Sequence, residues 1–160
     1  MQDRVTTRPG QRPDDARPSA NPGNAHRAGE GGRVAADRGL TRILIVDNDM
    51  SSADALELML HASGHSATRV AYTGEAALAI AADFRPSMVL LDLNLLDMTG
   101  YHLAESLRDR AQSRRVRLIA LTSSPEHAGR EQARAAGFER YLLKPIAAAD
   151  LSKIMETPSS

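Results

Sequence analysis

Asp47, Asn48 and Asp49 follow directly on the apolar run Ile43–Val46. Asp92 closes Met88–Leu91, Thr122 follows Leu118–Leu121, and Lys144 with Pro145 follows Tyr141–Leu143. Acids, a hydroxyl and an ammonium thus stand at the ends of apolar runs of strand length. Singly each has a plain reading: a loop acid in water, a threonine capping a helix, a lysine pointing to solvent. Together they suit phosphoryl transfer to a carboxylate. A carboxylate is a competent covalent nucleophile, but the phosphoryl group it must meet is itself anionic. A cation between them and donors around the transferring oxygens are therefore needed. Asp47 and Asp92 could hold Mg²⁺, which takes one or two carboxylates together with phosphate oxygens and water. Lys144 would neutralise one phosphoryl oxygen and Thr122 would hydrogen-bond another.

The elements that must position these residues alternate along the chain from Thr41 onward. Besides the four runs, a weaker one lies at Thr68–Ala71. Between them the spacing turns helical. Leu56, Met59, Leu60 and Ser63 share one face of a first helix, read as starting from Ser51 with Asp54 as its capping partner and stopping at Gly64. Thr73 caps an alanine-rich second helix over 74–83, and a third runs from Thr99 to about Arg110. Ser124 followed by Pro125 reads as the N-cap and first turn of a fourth that ends at Gly137. A short fifth spans roughly 147–156. Five strands alternating with five helices predict an α/β fold, a doubly wound five-stranded parallel sheet with helices on both faces. In such sheets ligands bind outside the carboxyl ends of the strands, where strand order reverses.

With 160 residues, the chain has room for one domain of ordinary size. Residues 1–40 read differently from the rest, holding four of the eight prolines, six of the eleven glycines and seven arginines. Such a segment buries too little to offset its ordering entropy, so it is expected to be a disordered Arg/Pro/Gly-rich tail ahead of a domain over 41–157. Twenty Lys+Arg balance twenty Asp+Glu, which gives no field to draw in nucleic acid or an acidic membrane surface. The absence of cysteine excludes disulfides and thiolate chemistry. No apolar run approaches the roughly 18 residues of a membrane span, nor does the N-terminus carry a signal-peptide core. A cytoplasmic protein is expected.

The spacings carry a resemblance. Asp92 lies 45 residues after Asp47, Thr122 lies 30 and Lys144 lies 52 after Asp92, Gly100 falls eight past Asp92, and Tyr141 three before Lys144–Pro145. Over about residues 42–156 this pattern resembles, position by position, a response-regulator receiver domain of the CheY-like, two-component kind. The resemblance implies a flavodoxin-like sheet in the order 2-1-3-4-5, Asp92 as phosphoacceptor and Asp47 as one of an acidic pair. It further implies a Mg²⁺ ligand at the backbone carbonyl of Asn94, and Thr122 and Tyr141 as a hydroxyl and an aromatic that rearrange together. The bond before Pro145 would be cis, and Asn94 and Ser124, two residues beyond Asp92 and Thr122, would tune dephosphorylation. The phosphoryl group would come from a sensor histidine kinase or a histidine phosphotransfer protein, and a further protein would read the switched surface. With only sixteen residues after Lys144, a stand-alone receiver with no catalytic output domain is expected.

Two positions depart from the family's pattern. Asn48 stands where receivers usually carry their second acid, and as a metal ligand it offers only a carbonyl oxygen. Losing a unit charge 4 Å from the ion costs on the order of 4 kcal/mol at an effective dielectric near 20, although Asp49 could swing in. Weakened metal binding is expected rather than lost phosphorylation. Leu96 replaces a common proline, leaving the loop after Asp92 less rigid. Two rivals remain. An unphosphorylated pseudo-receiver would be a fixed interaction module. A haloacid-dehalogenase-like phosphatase would use Asp47 as nucleophile and Asp49 as general acid, but it would leave Asp92 idle. The first turn lacks the glycines of a dinucleotide site. His61, His65, His102 and His127 show no metal spacing, and Asp97 reads as a solvated loop acid.

Overall fold

The computed structural model describes residues 40–111, 115–125 and 130–156. All of the expected tail over 1–40 except Leu40 lies outside this set, as does His127. In chain order the elements are β1 Ile43–Val46, α1 Met50–Ala62, β2 Thr68–Ala71, α2 Gly74–Phe84, β3 Met88–Asp92, α3 Gly100–Ala111, β4 Arg117–Thr122, α4 Arg130–Ala136, β5 Phe138–Leu143 and α5 Ala148–Glu156. The sheet is ordered β2-β1-β3-β4-β5, and every pair is parallel.

Period-two alternation divides the apolar strands between two cores. Leu44, Val46, Val89, Leu91, Leu118 and Ala120 face Ala77 of α2 and Leu103, Ala104 and Leu107 of α3. The intervening Ile43, Ile45, Met88, Leu90, Ile119 and Leu121 face Ala53, Leu56 and Leu60 of α1 and Leu151 and Ile154 of α5. A strand flanked on both sides by helices must be apolar at consecutive positions, and β1 and β3 are buried throughout. Each fully buried Leu or Ile there is worth about 1.5–3 kcal/mol over exposure. The expectation of two buried faces fails for the edge strands. Only Thr68 and Ala71 of β2 and Phe138 of β5 are buried. With a neighbour on one side only, an edge strand keeps solvent along the other. The same edge position explains why β5 begins at Phe138, ahead of the apolar run: Glu139 and Arg140 are tolerated there. A bulge in its pairing falls between Leu118 and Ile119.

Local signals account for most boundaries. Thr73 caps α2, its hydroxyl accepting from the Ala76 N–H at 3.1 Å. Gly64 and Gly137 take the left-handed backbone expected after α1 and α4, with φ of 90° and 84°. The start of α1 differs from expectation. Asp49, not Ser51, is its N-cap, accepting from the Ser51 and Ser52 N–H groups at 3.0 and 3.2 Å. A carboxylate outcompetes a hydroxyl at this positive helix end. Asp54 instead accepts from the Tyr72 hydroxyl at 2.9 Å. The proposed capping of α4 by Ser124 involves residues 126–129, outside the described residues.

Candidate functional site

Strand order reverses between β1 and β3, and there the two carboxylates meet. Asp47 follows β1 with its side chain fully buried, while Asp92 ends β3 with 8% of its side chain exposed. Lys144, just past β5, reaches between them. Its Nζ donates to Asp47 Oδ2 at 2.5 Å and to Asp92 Oδ2 at 3.0 Å. The remaining carboxylate oxygens are held by backbone: the Asp49 N–H donates to Asp47 Oδ1, and the Asn94 N–H to Asp92 Oδ1, each at 2.9 Å. Both carboxylates are thus fixed in plane and direction. The Lys144–Pro145 bond is cis, and the Lys144 N–H donates to the Thr122 carbonyl at 2.7 Å, which ties the β5 loop to the end of β4.

The electrostatics follow from burial and pairing. Burial raises the Asp47 carboxyl above the usual range, against the lowering by Lys144 and the Asp49 N–H. Burial alone would lower the Lys144 ammonium. Its hydrogen bonds to Asp47 and Asp92 outweigh that and raise it, so Lys144 is a fixed positive charge.

Gly100 lies against this machinery. A Cβ there would fall 2.7 Å from the Leu93 Cα and 2.8 Å from the Asp92 carbonyl oxygen, so only glycine lets the start of α3 approach the end of β3.

The other predicted residues are near but differently engaged. The Thr122 hydroxyl turns to its own loop, donating to the Ser124 carbonyl at 3.0 Å and accepting from the Ser124 N–H at 3.2 Å. Tyr141 sits on β5 opposite Ala120, its ring 6.1 Å from that of Phe138. Its hydroxyl oxygen is buried, and among the described residues it is the buried side-chain polar atom without a hydrogen bond of ordinary geometry. Burial, and then the neighbouring Tyr101, push its pKa up to about 12. Asn48 is half-buried beside Asp47. Asp49, expected as a reserve carboxylate, is committed to capping α1 and could swing in only by releasing two N–H groups. That commitment also weakens the phosphatase reading, which needs Asp49 as an acid and the fully buried Asp47 as a nucleophile.

Sequence reasoning missed Asp97. It is no idle acid: its two oxygens accept from the Gly74 and Glu75 N–H groups, each at 3.0 Å. These partners lie more than twenty residues earlier, and no short-range pattern joins them to it. The sequence signal that existed was the orphan N–H groups of α2, which one threonine cannot all satisfy.

Lys144 itself tests whether a metal fits, since a cation sits stably between the two carboxylates. Among the described residues no cluster of three or more His, Cys, Asp or Glu side chains is poised around a metal position; the residue beside Asp47 is the amide Asn48. Two carboxylates with carbonyl oxygens and water fit a hard cation such as Mg²⁺, at reduced charge.

Residues 43–156 match the family model described as the response regulator receiver domain. The chain is 29% identical over 104 residues to the polar-differentiation response regulator DivK of Brucella anthropi, covering 65% of this chain and 84% of that protein. Over 114 residues it is 30% identical to an uncharacterized 14.6 kDa protein of Leptolyngbya boryana, covering 71% and 86%. Among solved structures it resembles a CheY-like receiver domain protein of Methanospirillum hungatei, with a TM-score of 0.66, 27% identity and coverage of 73% and 91%. It also resembles the receiver domain of a Pseudomonas aeruginosa sensor histidine kinase that holds a magnesium ion in its active-site cleft. There the TM-score is 0.63, with 31% identity and coverage of 71% and 93%.

Proposed function

The chain belongs to the response regulator receiver family, and on that footing we propose that Asp92 accepts a phosphoryl group from a phosphohistidine of a sensor kinase or phosphotransfer protein. The observation that supports this most is the Lys144 ammonium bonded to both Asp47 and Asp92 at the switch point of the sheet. In the transfer an Asp92 oxygen forms a bond to phosphorus as the bond from phosphorus to the donor imidazole nitrogen breaks. The electron pair stays on that nitrogen, which takes up a proton. The Asn94 N–H keeps the carboxylate oriented, and Lys144 exchanges a carboxylate oxygen for a phosphoryl one. Asp47, Asp92 and the Asn94 carbonyl, with Asn48 beside them, would hold Mg²⁺, which when bound would supply the positive charge that a transferring phosphoryl group needs.

The new acyl phosphate offers Thr122 an anionic acceptor in place of the Ser124 carbonyl. Thr122 moves toward it, and Tyr141, whose hydroxyl oxygen is buried without a hydrogen bond of ordinary geometry, follows into the space vacated. That shifts the population of the surface around α4 and β5 between two affinities for a downstream protein. Asn94 and Ser124 flank the approach of the hydrolytic water and set the lifetime of the acyl phosphate. Among the described residues no helix is long and apolar enough to cross a membrane, and we place this chemistry in the cytoplasm.

Phosphoramidate, whose phosphorus–nitrogen bond resembles the natural donor's, tests the assignment. Peptide mapping after its use is expected to place the acid-stable, hydroxylamine-labile adduct on Asp92. Label on Asp47 that survives Asp92→Asn would contradict it.

A further inference from the structure

The loop between β3 and α3, residues 93–99, carries the Asn94 backbone against Asp92, and it lacks the stiffening proline at Leu96, which is 89% exposed. Its first residue is tied down where the Leu93 N–H donates to the Leu121 carbonyl, and its end where the Gly100 N–H donates to the Leu93 carbonyl, each at 3.1 Å. Its middle is fastened to α2 by two adjacent residues. Asp97 spans the Gly74 and Glu75 N–H groups with both oxygens at 3.0 Å. Met98 lies over Gly74 so closely that a Cβ there would fall 2.5 Å from its Cγ and its Sδ.

The helix has its own cap in Thr73, so it does not depend on Asp97 alone. The loop, by contrast, has no other described side-chain bond to α2 than this one. Two N–H donors at the positive end of a helix hold a carboxylate well, and they keep the Asp97 carboxyl below its ordinary range.

We propose that Asp97, with Met98 seated on Gly74, is a latch that positions the loop so that the Asn94 backbone stays beside Asp92. Asp97 is a positioning residue; it does not touch the reacting atoms. The latch supplies from outside the loop the rigidity that a proline at position 96 would supply from within. This rests on the receiver reading above for its consequence, though not for its geometry.

The test uses the full chain and three variants: Asp97→Ala, Leu96→Pro, and the two combined. Two quantities are read: the Mg²⁺ dissociation constant by titration, and hydrogen exchange at the Asn94 amide without metal or phosphodonor. Asp97→Ala is expected to weaken Mg²⁺ binding roughly tenfold, the low end of what losing an outer-shell partner costs a metal site, and to speed exchange at Asn94. Leu96→Pro in the same chain is expected to restore both. A merely structural loss would not be rescued by a proline elsewhere in the loop. Unchanged exchange in Asp97→Ala, or a loss that Leu96→Pro fails to restore, overturns the latch. Should the unsubstituted chain bind no Mg²⁺, the phosphoacceptor reading fails on that arm, while the Asn94 exchange still decides the latch.

Discussion

Lys144 bonds both Asp47 and Asp92, and the consequence of removing it can be worked out in sign. Burial raises the Asp47 carboxyl above its ordinary 3.8, so the folded chain binds that proton more tightly than the unfolded one. Ionisation of Asp47 therefore takes stability away as the pH rises through the raised value. Lys144→Met leaves Asp47 facing Asp92 without the ammonium. A loss of about 3 kcal/mol is expected at pH 7, the low end for a broken buried pair, and it should shrink as the pH falls toward 4. Urea unfolding at several pH values checks this; a loss that grows toward low pH would contradict it. Asn48 bears on the same charge balance from the other side. Asn48→Asp adds a carboxylate beside Asp47, so Mg²⁺ affinity should rise tenfold or more, only about 1.4 kcal/mol of the Coulomb limit near 4 kcal/mol. No gain in a magnesium titration would remove the idea that the amide weakens the metal site. Asp47, Asp92 and Lys144 were legible because a carboxylate or ammonium directly after an apolar run has one place to go in a parallel sheet. The direction of the Thr122 hydroxyl was not, since the turn that follows decides it.

At the scale of elements, backbone proximity governs the site. α3 starts so close to the end of β3 that any side chain at Gly100 must displace Leu93 or the Asp92 carbonyl. Gly100→Ala is expected to cost at least the 1–3 kcal/mol typical of overpacking, measured by chemical denaturation, and to lower the rate of Asp92 phosphorylation. A variant as stable and as reactive as the parent would mean that the close approach does not constrain the site. The need for glycine at position 100 was not derivable from spacing alone; the resemblance marked the position and the geometry supplies the reason. Helix boundaries read from Thr73, Gly64 and Gly137 agree with the structure because each signal acts within one turn. The start of α1 was misread because Asp49 was taken for a site carboxylate, whereas its side chain caps the helix. β5 was cut short because alternation is a poor guide where one edge of a strand meets solvent.

The described residues form a sheet with two separate cores, and a rim of polar groups lies where the chain changes winding direction. Period-two division of each strand between the cores makes the sheet rigid, and rigidity at the rim lets a carboxylate, an ammonium and backbone N–H groups be held within hydrogen-bond distance. The doubly wound fold was legible from the alternation of runs, whereas the strand order came from the resemblance, because nothing in a single sequence orders parallel strands. The central claim, that this rim accepts a phosphoryl group on Asp92, is tested most directly by intact mass after incubation with acetyl phosphate, with Mg²⁺ or with chelator. One Mg²⁺-dependent phosphoryl adduct that is absent from Asp92→Asn is the predicted result. A folded protein that takes no adduct at any Mg²⁺ concentration would contradict it and leave an interaction module that works without phosphorylation.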